Sequence, residues 1–133
     1  MFILACTEKA PQKDCNEDCV FVNGHVFDEG DYHAVQTDRP TVFAIADGVG
    51  GNHGGHYAAR YVLEHLVKFD WEAVDSTNDI AEILRDVNRC LIEYSATKAG
   101  FEHMATTLTG VLLRRDAAWY FHIGNTRLYT CLG

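Results

Sequence analysis

Apolar and polar positions along this chain follow two rhythms, and the changes between them predict its elements. Residues 1–6 and 19–23 (Cys-Val-Phe-Val-Asn) are short β-branched and aromatic runs that predict strands; the polar stretch between them carries Lys13, Asp14, Asn16, Glu17 and Asp18. After a polar segment predicted to be irregular, Val42-Phe43-Ala44-Ile45-Ala46 is a continuous apolar run, long enough for a buried strand and too short for a helix. It stops abruptly at Asp47-Gly48. Ala58, Tyr61, Val62, Leu66 and Phe69 then recur at helical spacing, predicting a helix of roughly four turns. A second helix is predicted after the N-capping cluster Ser76-Thr77-Asn78-Asp79, with Ile80, Ile83, Leu84, Val87, Leu91 and Tyr94 on its buried face and Gly100 terminating it.

From Ala105 the rhythm returns to strands, predicted over 106–113, 118–123 and 126–132, with a turn at 114–116 and a hairpin signal at Gly124-Asn125. Strands, two helices, then strands again argue for an α+β fold, an antiparallel sheet with helices packed on a face, and against alternating βαβ units. The 133 residues suit a single domain over 1–133, and the composition, 47% apolar and 23% charged, is that of an ordered globular chain. No apolar run reaches the length of a membrane span, so no membrane association is expected.

Charge narrows the function classes. Nineteen acidic against eleven basic side chains give a net charge of -8, which repels phosphate backbones, so nucleic acid is not an expected partner. The same surplus of carboxylates suits hard divalent cations, which take oxygen ligands. The five cysteines are an odd set without a CxxC pair, which points to reduced thiols in a cytoplasm; Cys15 and Cys19 with a histidine are a minor zinc alternative lacking a second ligand pair.

The segment from Asp47 to Gly55 holds five glycines in nine residues. A carboxylate placed where a buried strand meets such a loop is fixed by the strand, while the glycines admit close neighbours, including backbone carbonyls. A plain Asp-Gly turn needs neither the apolar strand nor so many glycines. A phosphate loop is a poor fit, because the Lys-Ser/Thr pair is missing and His53 stands where GxGxxG requires its last glycine. Glu17 and Asp18, at another strand edge, are placed to complete an oxygen-rich site. His53 and His56 have metal-like spacing, but imidazole matches Mg2+ poorly. His65 and His103 are assigned to solvated faces and His122 to a half-buried strand position. Thr106 and Thr107 read as structural, and Arg127 as a partner for a carboxylate.

Four blocks, Asn16-Glu17-Asp18, Ala46-Asp47-Gly48-Val49-Gly50-Gly51, Ala105-Thr106-Thr107-Leu108 and His122-Ile123-Gly124-Asn125-Thr126-Arg127-Leu128-Tyr129, resemble in order those of the type 2C metal-dependent serine/threonine protein phosphatases. The resemblance covers nearly the whole chain and is similar to the N-terminal half of the bacterial members. It implies a four-layer α-β-β-α sandwich of antiparallel sheets, present only in part, with a two-ion Mg2+ or Mn2+ site at one end. Carried over, Asp47 bridges both ions, Glu17 ligates one, Gly48 offers its carbonyl and Asp18 acts through water. Two such cations about 3.5–4 Å apart turn a bridging water into hydroxide and neutralise charge on phosphoryl oxygens, so no protein nucleophile is required.

Three departures matter. Lys13 stands where the family has a phosphate-binding Arg, exchanging a planar fork for a point charge. Asn125 replaces an acidic residue that serves a third metal, so a third ion is not expected. The family's later aspartates would lie beyond Gly133, which leaves a catalytically impaired pseudophosphatase or partner-binding module as the alternative. The expected partner is a phosphoprotein substrate, and unpaired sheet edges add an expectation of self-association.

Overall fold

A computed structural model of the protein describes residues 2–35, 38–50 and 53–131. Among them the elements run β1 (Phe2–Thr7), β2 (Asp18–Val22), β3 (His25–Phe27), β4 (Gly30–Val35), β5 (Thr41–Val49), α1 (Gly54–Leu66), α2 (Thr77–Ala96), β6 (Ala105–Thr106), β7 (Leu108–Leu113) and β8 (Ala118–Ile123). The large sheet has the order β3-β2-β5-β7-β8 with β6 paired to the end of β5, and β1 pairs with β4 in a small second sheet. Every pairing is antiparallel. The α+β class holds, and three layers of the expected sandwich are present: helices, large sheet, small sheet. Among the described residues no helix covers the outer face of the small sheet, where Phe2 and Leu4 stand exposed. No described helix is long and apolar enough to cross a membrane.

Strand parity sorts the side chains of the large sheet between two cores, because successive residues point to opposite faces. Cys19, Phe21, Val42, Ala44, Ala46, Leu108 and Leu112 pack under the helices with Leu63, Leu66, Val87 and Leu91. Val20, Val22 and Phe43 face the other way and meet Ile3, Ala5 and Tyr32 of the small sheet. Asp18 and Asp47 share the parity of Val20 and Phe43. They therefore belong to the face turned away from the helices.

Several expectations need correcting. The segment 24–41 is not irregular: β3 and β4 lie within it, and Asn23 and Gly24, both at positive φ (50° and 86°), make the tight turn from β2 to β3. Asn-Gly is a strong hairpin signal of its own. Helix α1 begins at Gly54 and ends at Leu66, so Gly54 and Gly55 are helical and Phe69 lies beyond the end. The reason is packing. A Cβ on Gly55 would meet the carbonyl of Gly48 at 2.6 Å, so only a bare backbone lets α1 close onto β5.

Helix α2 opens as expected, with Ser76 at the N-cap and a reciprocal capping box with Asp79. It closes at Ala96, before Gly100, on a Thr97 cap whose hydroxyl donates to the Tyr94 carbonyl at 2.8 Å. The strand expected over 126–132 does not form among the described residues, which end at 131. Gly124, at φ 102°, turns the chain so that Thr126 Oγ1 meets Thr109 Oγ1 at 2.5 Å, and the segment folds over the sheet face instead of extending the ladder. Gly51 and Asn52 of the glycine-rich loop lie outside the described residues.

Because the α1–β5 contact is backbone against backbone, Gly55→Ala should cost about 1–3 kcal/mol through overpacking. A lowered urea midpoint at unchanged slope is the expected reading; an unchanged midpoint would contradict the close approach.

Candidate functional site

Of the carboxylates named from sequence, Asp18 and Asp47 meet at one end of the large sheet, with Glu17 in the adjoining position. Asp18 opens β2 directly opposite Asp47 of β5, and the next ladder bond runs from the Gly48 N–H to the Glu17 carbonyl at 3.0 Å. Glu17, Asp18, Asp47 and Gly48 are thereby fixed by backbone pairing within two adjacent strand ends. The Gly48 carbonyl lies against the Cα of Gly55 at the start of α1.

Two threonines hold Asp47 from the other side. Thr107 Oγ1 accepts the Asp47 N–H at 3.0 Å, the Thr107 N–H donates to the Asp47 carbonyl at 2.9 Å, and Thr106 Oγ1 donates to that carbonyl at 3.1 Å. The structural reading of both threonines is borne out, with a specific task. Asn16 is a second anchor. Its amide donates to Thr7 Oγ1 at 2.9 Å and to the Asp28 carbonyl at 2.6 Å, while its Oδ1 accepts the Asp18 N–H at 3.1 Å. The last bond is the two-residue turn typical of Asn, a signal available in the sequence.

Electrostatics at this end are unfavourable as they stand. The Asp18 carboxyl is pushed above its ordinary value, first by desolvation, then by the charge of Asp47, a hydrogen bond shared with Asp47 and the charge of Glu17, with Lys13 opposing. Lys13 Nζ sits 2.8 Å from Glu17 Oε2, and this bond and charge raise the lysine's pKa. The lysine expected to meet phosphate thus rests on a metal-ligand candidate. Among the described residues no three His, Cys, Asp or Glu side chains converge into a set that could hold a metal ion by themselves. The donors nevertheless suit a hard cation: three carboxylates and a backbone carbonyl, all oxygen, with a surplus of negative charge.

The histidines and cysteines take other positions. His53, left-handed at φ 63°, places Nδ1 at 3.1 Å from Cys15 Sγ, whereas Cys19 is buried under α1 with its thiol donating to the Phe27 carbonyl at 3.3 Å. Cys15 and Cys19 take different partners, and with no three such ligands gathered among the described residues the zinc alternative finds no site; all five cysteines are free. His56 Nδ1 donates to the Asn16 carbonyl at 2.8 Å. His65 is partly buried, stacked on Tyr61 and bonded to its carbonyl at 2.9 Å, so the solvated assignment is corrected, while His103 is exposed. His122 is exposed on β8 with Nδ1 at 2.8 Å from Thr109 Oγ1, which corrects the half-buried assignment. Arg127 donates to the Tyr129 hydroxyl at 3.3 Å and, among the described residues, pairs with no carboxylate.

Residues 28–131 match the family model described as protein phosphatase 2C. The chain belongs to the protein phosphatase 2C family. It is 25% identical over 130 residues to the serine/threonine phosphatase stp of Listeria monocytogenes serotype 4b, covering 92% of this chain and 47% of that one. Among solved structures, the Mycobacterium tuberculosis serine/threonine phosphatase PstP/Ppp superposes with a TM-score of 0.70 at 23% identity, covering 93% of this chain and 46% of that one. A PstP catalytic domain in complex with 2 manganese ions gives 0.71 at 23% identity, over 94% and 48%. These likenesses show the type 2C fold. The chain spans about half the length of the relatives it matches.

The Asp18 shift has a testable sign. A carboxyl whose folded pKa lies above its unfolded value costs stability once ionised, so the cost is absent below the ordinary 3.8 and sets in as pH rises through the folded value. In chelator, Asp18→Asn should therefore be more stable than the parent at neutral pH, with the gap narrowing as pH falls toward 3.8. Urea midpoints across that range check it; a gap that widens on acidification would overturn the assignment.

Proposed function

We propose that this chain forms the N-terminal part of a divalent-metal-dependent protein phosphatase that hydrolyses phosphoserine and phosphothreonine esters on proteins. The observation that carries the reading is the antiparallel register placing Asp18 opposite Asp47, with Glu17 and Gly48 joined by the neighbouring bond, in a chain of the type 2C family. Glu17, Asp47 and the Gly48 carbonyl would hold Mg2+ or Mn2+, with Asp47 between two ions and Asp18 acting through water. When bound, such ions supply hydroxide at neutral pH and neutralise charge on the phosphoryl oxygens.

The protein's own residues do the positioning. Thr106 and Thr107 fix the Asp47 backbone, and Asn16 fixes that of Asp18. Lys13 is a charged, exposed side chain beside Glu17, and it would meet a substrate phosphate as a point charge. The further parts of the proposal are a phosphoprotein substrate, a bacterial cytoplasmic setting, supported by bacterial relatives and free cysteines, and self-association through the sheet edges β3 and β8.

One observation favours a second reading, that of a partner-binding module without turnover. The Lys13–Glu17 ion pair occupies a ligand carboxylate. The two readings part on one assay, Mn2+-dependent hydrolysis of a phosphothreonine peptide. The enzyme reading expects turnover that chelator abolishes and Asp47→Asn lowers by at least about 10–100-fold, the loss usual even for outer-shell partners of a metal. Peptide binding without turnover, or equal rates for parent and Asp47→Asn, would support the module instead.

A further inference from the structure

Repulsion between neighbouring carboxylates tends to drive the Asn16–Asp18 loop away from β5. The strand ladder holds Asp18 opposite Asp47 and ties the Glu17 carbonyl to the Gly48 N–H, but Asn16, just before them, lies outside the ladder and needs another restraint. That restraint comes from the glycine-rich segment's helix. His56, in the first turn of α1, reaches back to the loop, its Nδ1 2.8 Å from the Asn16 carbonyl. A carbonyl only accepts, so Nδ1 carries the proton in this bond. The ring is largely buried, with 24% of its side-chain surface exposed, and lies beside Asp28, whose carboxylate is 3.6 Å from Nδ1 and 3.3 Å from an Arg60 guanidinium nitrogen.

Asn16 is thus the hub of four bonds from four places: β1 through Thr7, the segment after β3 through the Asp28 carbonyl, β2 through the Asp18 N–H, and α1 through His56. Both amide hydrogens, the side-chain oxygen and the backbone carbonyl are all engaged. Among the described residues, the His56 bond is the one that ties the Asn16 hub to the helix whose glycine packs against Gly48.

We infer that His56 is a positioning residue for the divalent-cation site, its Nδ1–H bond to the Asn16 carbonyl locking Glu17 and Asp18 in register with Asp47. The inference rests on the phosphatase reading for the identity of the ligand, but the locking itself does not. His56 touches neither substrate nor cation. It acts through Asn16, as outer-shell partners orient the groups that do the binding.

The test uses the parent protein, His56→Ala and His56→Gln, whose amide N–H can donate to the same carbonyl. Amide hydrogen exchange at Asp18 in metal-free protein reads the lock, and Mn2+ affinity by titration calorimetry reads its consequence. Expected are exchange at Asp18 faster by on the order of tenfold in His56→Ala and Mn2+ binding weaker by about tenfold, with His56→Gln recovering most of both. Parent-like exchange and affinity in His56→Ala would overturn the inference, as would a folded His56→Gln that recovers neither. Should His56→Ala fail to fold, the Gln variant decides alone: parent-like protection and affinity support the lock, and their loss refutes it. A parent that binds no Mn2+ sinks the phosphatase reading and leaves the exchange comparison to judge the lock.

Discussion

Two like charges are held side by side by an antiparallel ladder, and most of this fold can be understood as the apparatus that keeps them there. Asp18 and Asp47 face each other across β2 and β5, with Glu17 next in line, so that burial and mutual repulsion both press on Asp18. Backbone hydrogen bonds supply the resistance, since they fix strand register without regard to side-chain charge. Around them stand the threonine pair on Asp47, the asparagine hub on Asp18, and the bare glycine contact that closes α1 onto β5. A divalent cation bound there would relieve that repulsion, since it takes oxygen ligands and carries the opposite charge.

The two cores make this end of the sheet rigid for different reasons. Beneath it, the helix-side cluster buries Leu63, Leu66 and Leu112 completely, and the Tyr61 hydroxyl reaching the Cys90 carbonyl at 3.2 Å ties α1 to α2. Above it, the small sheet covers Val20 and Val22 but leaves Ile45 and Tyr120 largely exposed. Asp18 and Asp47 lie on that same partly covered face. The carboxylates are therefore supported by a dry core on one side and open to solvent on the other.

Much of this was legible in the residues. The apolar run ending in Asp47-Gly48 is β5, the Ser76 cluster is the cap of α2, and the collinear blocks named the family that residues 28–131 match. Other features escaped a linear reading because they depend on long-range pairing. The small sheet joins β1 to β4 across the whole β2–β3 hairpin, and nothing local to Tyr32 or His33 announces that partner. The role of Thr106 and Thr107 depends on a contact some sixty positions away in sequence, at 3.0 Å from Thr107 Oγ1 to the Asp47 N–H. Residues 126–131 show the opposite failure, a strand-like pattern whose hydroxyl found a side-chain partner in Thr109 before its backbone found a ladder. His56 read as a poor metal ligand, which its geometry explains, since it bonds the loop that presents the ligands.

An anomalous-difference map from crystals of the protein grown with Mn2+ would address the carboxylate cluster itself. Peaks at the shared end of β2 and β5, ligated by Asp47 with Glu17 released from Lys13, are the expected result. A map with no peak there, and the Lys13–Glu17 ion pair intact, would contradict it.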